Sequence, residues 1–205
     1  SSVATGKAPK RDRSPWVVES RQSWRGIHSA PANRAHPTIG TRVLANDSLE
    51  ALDTRRWLLR DDTFAGNLAL FRPSNVEFRS GVGAVLSVRK ESLGVRNYSA
   101  ASISSRDRYL FGRFEAVIQA ANMPGVVTGF FLHRDSPRQE IDIEIAGNRP
   151  DRLLVNVFYN PGDEGARFDY GYRGTPSYVE LGFDASKSAH RFAIEWDPSE
   201  IRWLV

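Results

Sequence analysis

Glu140-Ile141-Asp142-Ile143-Glu144 decides how this 205-residue chain is read. Acid and isoleucine alternate strictly, and successive side chains of a β-strand point to opposite faces. Three carboxylates therefore share one face and two isoleucines the other. The isoleucines make a core wall. The carboxylates make an acidic row with neighbours about 6.6 Å apart at the Cα level, and their mutual repulsion is a cost that ordinary packing does not impose. The competing reading is a plain amphipathic strand with its polar face in water.

Either way the stretch is a strand, and its surroundings extend the pattern. From Val43 onward short apolar alternations recur between turn signals, and long helical patterns are scarce. Strands are predicted at 57–60, 68–72, 76–79, 84–90, 102–105, 109–120, 126–133, 140–145, 152–159, 190–196 and 201–205. Breaks such as Pro73-Ser74-Asn75, Gly81-Val82-Gly83, Pro124-Gly125 and Asn160-Pro161-Gly162 separate them. This is an all-β roster, best satisfied by two antiparallel sheets packed face to face. One helical turn is expected near 49–54, opened by Asp47 or Ser48. The final stretch, Ile201-Arg202-Trp203-Leu204-Val205, alternates as a strand does and reads as one that has lost its hairpin partner. The expectation is a fold incomplete at its C-terminus, completed by a second chain or segment.

Composition narrows the class. An apolar content of 40% with 11% aromatics marks a globular chain, and 205 residues suit one domain plus a tail. There is no cysteine, hence no disulfide framework and no thiolate metal site. The net charge of +4 is unevenly placed: residues 1–42 carry a net +6 and residues 43–205 a net −2. Nucleic acid is therefore not an expected partner, and 1–42 reads as a basic, weakly ordered arm or linker ahead of a domain at 43–205. Trp16, Val17, Val18 and Trp24 stand out from its polar composition as candidates to dock on that domain. No apolar run reaches the length of a membrane span and no signal-peptide core is present, which leaves a cytosolic chain or one already processed, and a secreted or periplasmic location is the expectation.

The chemistry that uses such a row is cleavage of a glycosidic bond. It needs one ionised carboxylate as nucleophile or base and a second held protonated to donate to the leaving oxygen. Glu140 and Glu144 fit the two roles, with Asp142 between them coupling to both titrations. Four strand steps separate the outer Cα atoms by about 13 Å, whereas a retaining pair places its carboxyl groups about 5 to 5.5 Å apart. Long glutamate side chains leaning inward on a concave face close that gap. A lone histidine, His133, has no second histidine at metal spacing, so no catalytic metal is assigned.

Several segments in one order carry a resemblance: Gly112-Arg113-Phe114-Glu115, Gly129-Phe130-Phe131, the acidic run, Asn156, Leu181-Gly182-Phe183-Asp184-Ala185-Ser186 and Ile194-Glu195-Trp196. From about Asp61 to Val205 the chain resembles glycoside hydrolase family 16, whose signature is E-x-D-x-E. The form here, with no extra residue before Glu144, is similar to bacterial lichenases. The resemblance implies a concanavalin A-like β-jelly roll of two curved sheets with a concave cleft, binding a β-linked polysaccharide and cutting it internally. It implies Glu140 as nucleophile, Asp142 as assisting acid and Glu144 as general acid/base. It also implies sugar contacts by Asn67, Asn156 and Phe158, and a structural calcium ion on the convex side with no cofactor required for the chemistry.

The chain departs from lichenases at Arg138 and Gln139, where they carry a tryptophan, and around Ala101 to Ser104, where they carry a glutamate and an arginine. These changes point away from mixed-linkage glucan, and Arg138 with Arg134 either points toward a polymer bearing acidic groups, such as a bacterial exopolysaccharide, or is a loop arginine paired with Asp135 or left in solvent. Phe130 and Phe131 adjoin on one strand, so one faces the core and the other the cleft, with Phe131 taken as a substrate contact. Two other readings share these residues: a transglycosylase using the same covalent intermediate, and a carbohydrate-binding domain that does not cut.

Overall fold

A computed structural model describes residues 26–29, 42–135, 138–159, 173–174 and 176–205. The chain divides into two compact units, residues 40–110 and the remainder, 1–39 with 111–205. None of the described helices is long and apolar enough to cross a membrane.

The larger unit is a sandwich. Its first sheet runs in the order β1 (Gly26–Ser29), β14 (Ser177–Glu180), β12 (Arg152–Tyr159), β11 (Arg138–Ala146), β10 (Val127–Asp135), with β13 (Arg173–Gly174) pairing on β12. The second sheet is β16 (Ile201–Leu204), β15 (His190–Trp196), β9 (Gly112–Ile118). All ladders here are antiparallel except β1 with β14. Alternation explains what lies between the sheets. Ile141, Ile143 and Ile145 of β11 and Leu153 and Val155 of β12 meet Phe192 and Ile194 of β15 in one buried cluster. Each such fully buried side chain contributes about 2 kcal/mol relative to exposure.

Two details fix β11 in place. The Trp203 indole Nε1 on β16 donates to the main-chain oxygen of Asp142 at 3.0 Å, tying the second sheet to the middle of the acidic strand. Just past β11, a Cβ on Gly147 would lie 2.2 Å from the main-chain oxygen of Met123, so only glycine fits where the 123–126 turn closes on it. Gly147 N donates to the oxygen of Val126 at 2.8 Å.

The smaller unit is built of short pairs: β2 (Trp57–Leu59) with β8 (Ile103–Ser105), β4 (Val76–Arg79) with β5 (Gly83–Leu86), and β3 (Ala69–Phe71) parallel to β7 (Tyr98–Ala100), which also pairs with β6 (Arg89–Lys90). Its buried polar centre is Asn75, whose Nδ2 donates to Ser99 Oγ at 2.8 Å and to the oxygen of Ser87 at 3.0 Å; Ser99 Oγ in turn donates to Glu91.

Several expectations need correction. The turn expected at 49–54 lies instead at Asp53–Trp57: Asp53 O accepts from Arg56 N and Trp57 N, and Asp53 Oδ1 from Arg55 N. Asp47 accepts from Leu49 N and the Trp57 indole, and Leu49 takes φ 55°, which a helix does not permit. The strand predicted at 84–90 is two strands, broken where Ser87 N turns to the oxygen of Asn75. That predicted at 109–120 contracts to Gly112–Ile118, because Phe111 has φ 63°. Residues 201–204 do have a hairpin partner, β15, across a turn in which Asp197 Oδ1 accepts from Ser199 N and Glu200 N. Within the stretch read as an arm, Gly26–Ser29 is a strand. Trp16, Val17, Val18 and Trp24 lie outside the described residues.

Candidate active site

In an antiparallel ladder directly opposite residues share a face. With Ile141, Ile143 and Ile145 in the core, β11 turns Glu140, Asp142 and Glu144 to the other side of its sheet. The register then places three rows across the strands. His133, Glu140, Phe158 and Gly174 form one, Phe131, Asp142 and Asn156 the next, and Gly129, Glu144, Leu154 and Tyr178 the third. The acids are thus brought together on one face with Asn156, Phe158 and Phe131. Phe130 packs on the core and Phe131 is 47% exposed on the acid face, which resolves the choice that alternation left open.

Burial grades along the acidic strand. Asp142 is 3% exposed and its neighbour Asn156 4%, while the Glu140 side chain is 12% exposed. His133 Nε2 lies 3.9 Å from Glu140 Oε1 and 3.4 Å from Asp135 Oδ1. Burial pushes the Glu144 carboxyl above the ordinary glutamate range, and the charge of Glu140 pushes it further. The face therefore holds a proton on Glu144 where a solvated glutamate would have lost it.

A cavity of about 230 Å³ opens beside Glu144, lined also by Val127, Arg149, Arg152, Leu154 and Tyr178. Tyr178, Leu154 and Arg152 were not among the residues singled out from sequence. The available signal was the alternation of Ser177-Tyr178-Val179-Glu180, four residues long. Arg138 begins β11 opposite Asp135 in the ladder. Asn67 belongs to the smaller unit, where its Oδ1 accepts from Ala69 N at 3.2 Å and it lines a separate cavity of about 360 Å³ with Arg96 and Tyr98. Among the described residues no group of three or more His, Asp or Glu side chains is arranged to hold a metal ion. A calcium ion held mainly by backbone carbonyls would not require one.

Comparison with known proteins places this arrangement. The profile described as glycosyl hydrolases family 16 matches residues 68–205. A β-glucanase of Brevibacillus brevis is 32% identical over 168 residues, which cover 78% of this chain and 60% of that protein. A β-glucanase of Paenibacillus macerans is 29% identical over 139 residues, covering 66% of this chain and 54% of the relative. The chain thus spans about 60% or less of the length of these two relatives. Among solved structures, a prokaryotic β-1,3-1,4-glucanase (lichenase) from a mouse hindgut metagenome superposes with a TM-score of 0.66 at 26% identity, covering 77% of this chain and 72% of that one. The β-glucanase of Bacillus licheniformis superposes at 0.64 with 28% identity, covering 77% and 71%. The fold superposes on those of solved β-glucanases, and the family profile covers residues 68–205, so the chain belongs to glycosyl hydrolases family 16.

Proposed function

We propose that the protein is an endo-acting, retaining β-glucan hydrolase. The observation that carries this reading is the pairing of Glu140 and Glu144 on one face, where burial and the charge of Glu140 push the Glu144 carboxyl above its ordinary range and so suit Glu144 to the protonated role and Glu140 to the ionised one.

The steps follow from those two states. The Glu140 carboxylate attacks the anomeric carbon while the Glu144 proton passes to the departing glycosidic oxygen. The carbon–oxygen bond to the leaving sugar breaks as an ester bond to Glu140 forms. Glu144, now ionised, takes a proton from water; the resulting hydroxide attacks the same carbon, freeing Glu140 and restoring protonated Glu144. Asp142, buried between them and fixed by the Trp203 hydrogen bond to its backbone, is the positioning residue. Because activity requires ionised Glu140 and protonated Glu144, the alkaline limb of the pH profile belongs to Glu144 and lies above the range of an ordinary glutamate.

The test is to incubate the protein with neutral β-glucans and acid-substituted exopolysaccharides, following reducing ends and product sizes. New reducing ends with internal cleavage are expected, and Glu140→Gln should lower the rate at least about a thousandfold. Turnover retained in Glu140→Gln would contradict the role given to it. Redistributed chain lengths without new ends would identify a transglycosylase, and retention without either a binding domain. A clear preference for the neutral polymer would remove the part expected of Arg138.

A further inference from the structure

The acid face carries two exposed aromatic rings on opposite sides of the acidic strand: Phe131 on β10, and Tyr178 on β14, 39% exposed. Tyr178 is opposite Leu154, and Leu154 is opposite Glu144, so two ladder steps set Tyr178 about 10 Å from Glu144 at the Cα level. The cavity beside Glu144 reaches both residues. The core does not require this ring, because β14 packs through Val179 on its other face.

The ring is held from one side. The Arg152 guanidinium carbon lies 5.6 Å from the centre of the Tyr178 ring, within range of a cation–π contact. Arg152 is itself fixed by Glu180 Oε1, which accepts from Nε at 3.0 Å and from Nη2 at 2.7 Å. A tyrosine clamped on one face and exposed beside a cavity is preorganised to receive a flat apolar surface on the other. A pyranose ring offers that surface in its axial C–H groups, with hydroxyls around its rim for Arg149 and Arg152.

We infer that Tyr178 is the stacking platform of a sugar subsite two strands from Glu144, and that Arg152 positions its ring. The inference rests on the glycan-cleaving reading and extends it. A glucan crossing the strands engages Phe131 on one side of the acids and Tyr178 on the other, so chain length on the Tyr178 side sets affinity.

Tyr178→Ala and Tyr178→Phe test this in two backgrounds: KM and kcat on soluble neutral and acid-substituted β-glucans in the active protein, and calorimetric binding of oligosaccharides of the same polymers in Glu140→Gln. Tyr178→Ala should raise KM and weaken binding about tenfold with a much smaller change in kcat. Tyr178→Phe should stay within about twofold of the parent, because stacking uses the ring and not the hydroxyl. Binding by Tyr178→Ala as tight as the parent overturns the subsite. So does a Tyr178→Phe loss equal to that of Tyr178→Ala, or a fall in kcat matching a fall in thermal stability. If the Glu140→Gln parent binds no glucan or exopolysaccharide at all, the glycan reading fails and the subsite with it. Binding by the parent that ignores Tyr178 fails the subsite alone.

Discussion

The larger unit presents charged residues in rows on both of its sheets, and the two sets obey opposite rules. On the acid face, Glu144 is buried near the like charge of Glu140 and its carboxyl is pushed up. On the face of the second sheet turned away from the core, Glu195 is buried, at 1% exposure. There burial alone would push the carboxyl up, but the guanidiniums of Arg113 at 2.6 Å and Arg202 at 2.9 Å outweigh it and hold Glu195 below its ordinary range. Arg113 also donates to Glu115 at 2.7 Å, Arg191 to Glu115 at 2.5 Å, and Arg202 to Glu200, so opposite charges alternate across three strands. Partners on neighbouring strands thus decide whether the rise that burial imposes on a strand carboxyl persists or is overridden.

The two faces consequently respond to pH with opposite signs. Glu195, with a lowered folded pKa, contributes stability above the ordinary glutamate range that is lost as pH falls through its folded value. Glu144, with a raised one, keeps in the folded state a proton that the unfolded chain gives up, so stability falls as pH rises from the ordinary range through the raised value.

Substitutions can break or sharpen this contrast. The largest effect is expected from Glu144→Gln, which should lower kcat roughly 10²–10⁴-fold and abolish the alkaline limb, yet raise the thermal midpoint near neutral pH. A lowered midpoint would show that the ionised carboxylate supports the fold after all. Glu195→Ala should leave two guanidiniums facing each other and cost about 2 kcal/mol in denaturant unfolding. That value is below the loss for a fully interior pair, since the Arg113 and Arg202 side chains are 26% and 17% exposed. Trp203→Phe removes the indole donor to Asp142 O and should cost about 1 kcal/mol, with a fall in kcat greater than stability alone explains. Arg79→Ala, which breaks an exposed pair with Glu77 on the smaller unit, should leave the thermal midpoint unchanged within error.

The acidic strand was legible because its two faces demand opposite chemistry, so a period of two left no ambiguity about which residues enter the core. The strands at 152–159 and 190–196 were legible for a similar reason. Phe130 and Phe131 were not separable, since both satisfy a core position and only the ladder with Ile143 and Asp142 tells them apart. Ser177–Glu180 is too short to display a period, and what gives Tyr178 meaning is Arg152, brought alongside by the β12–β14 ladder. Gly147 carries no local signal either, because the atom that excludes a side chain there belongs to Met123. The network around Glu195 depends on partners 82 positions away in Arg113 and 7 in Arg202, a relation no local pattern encodes.

The most direct test of the proposed division of labour is an NMR titration of the Glu144 side-chain carboxyl, in the native protein and in Glu140→Gln. The account predicts a pKa raised above the ordinary glutamate range in the native protein. It should fall part of the way back when Glu140 is neutralised, with the larger share, due to burial, remaining. A Glu144 that titrates as an ordinary glutamate, or that ignores the loss of charge at position 140, would contradict it.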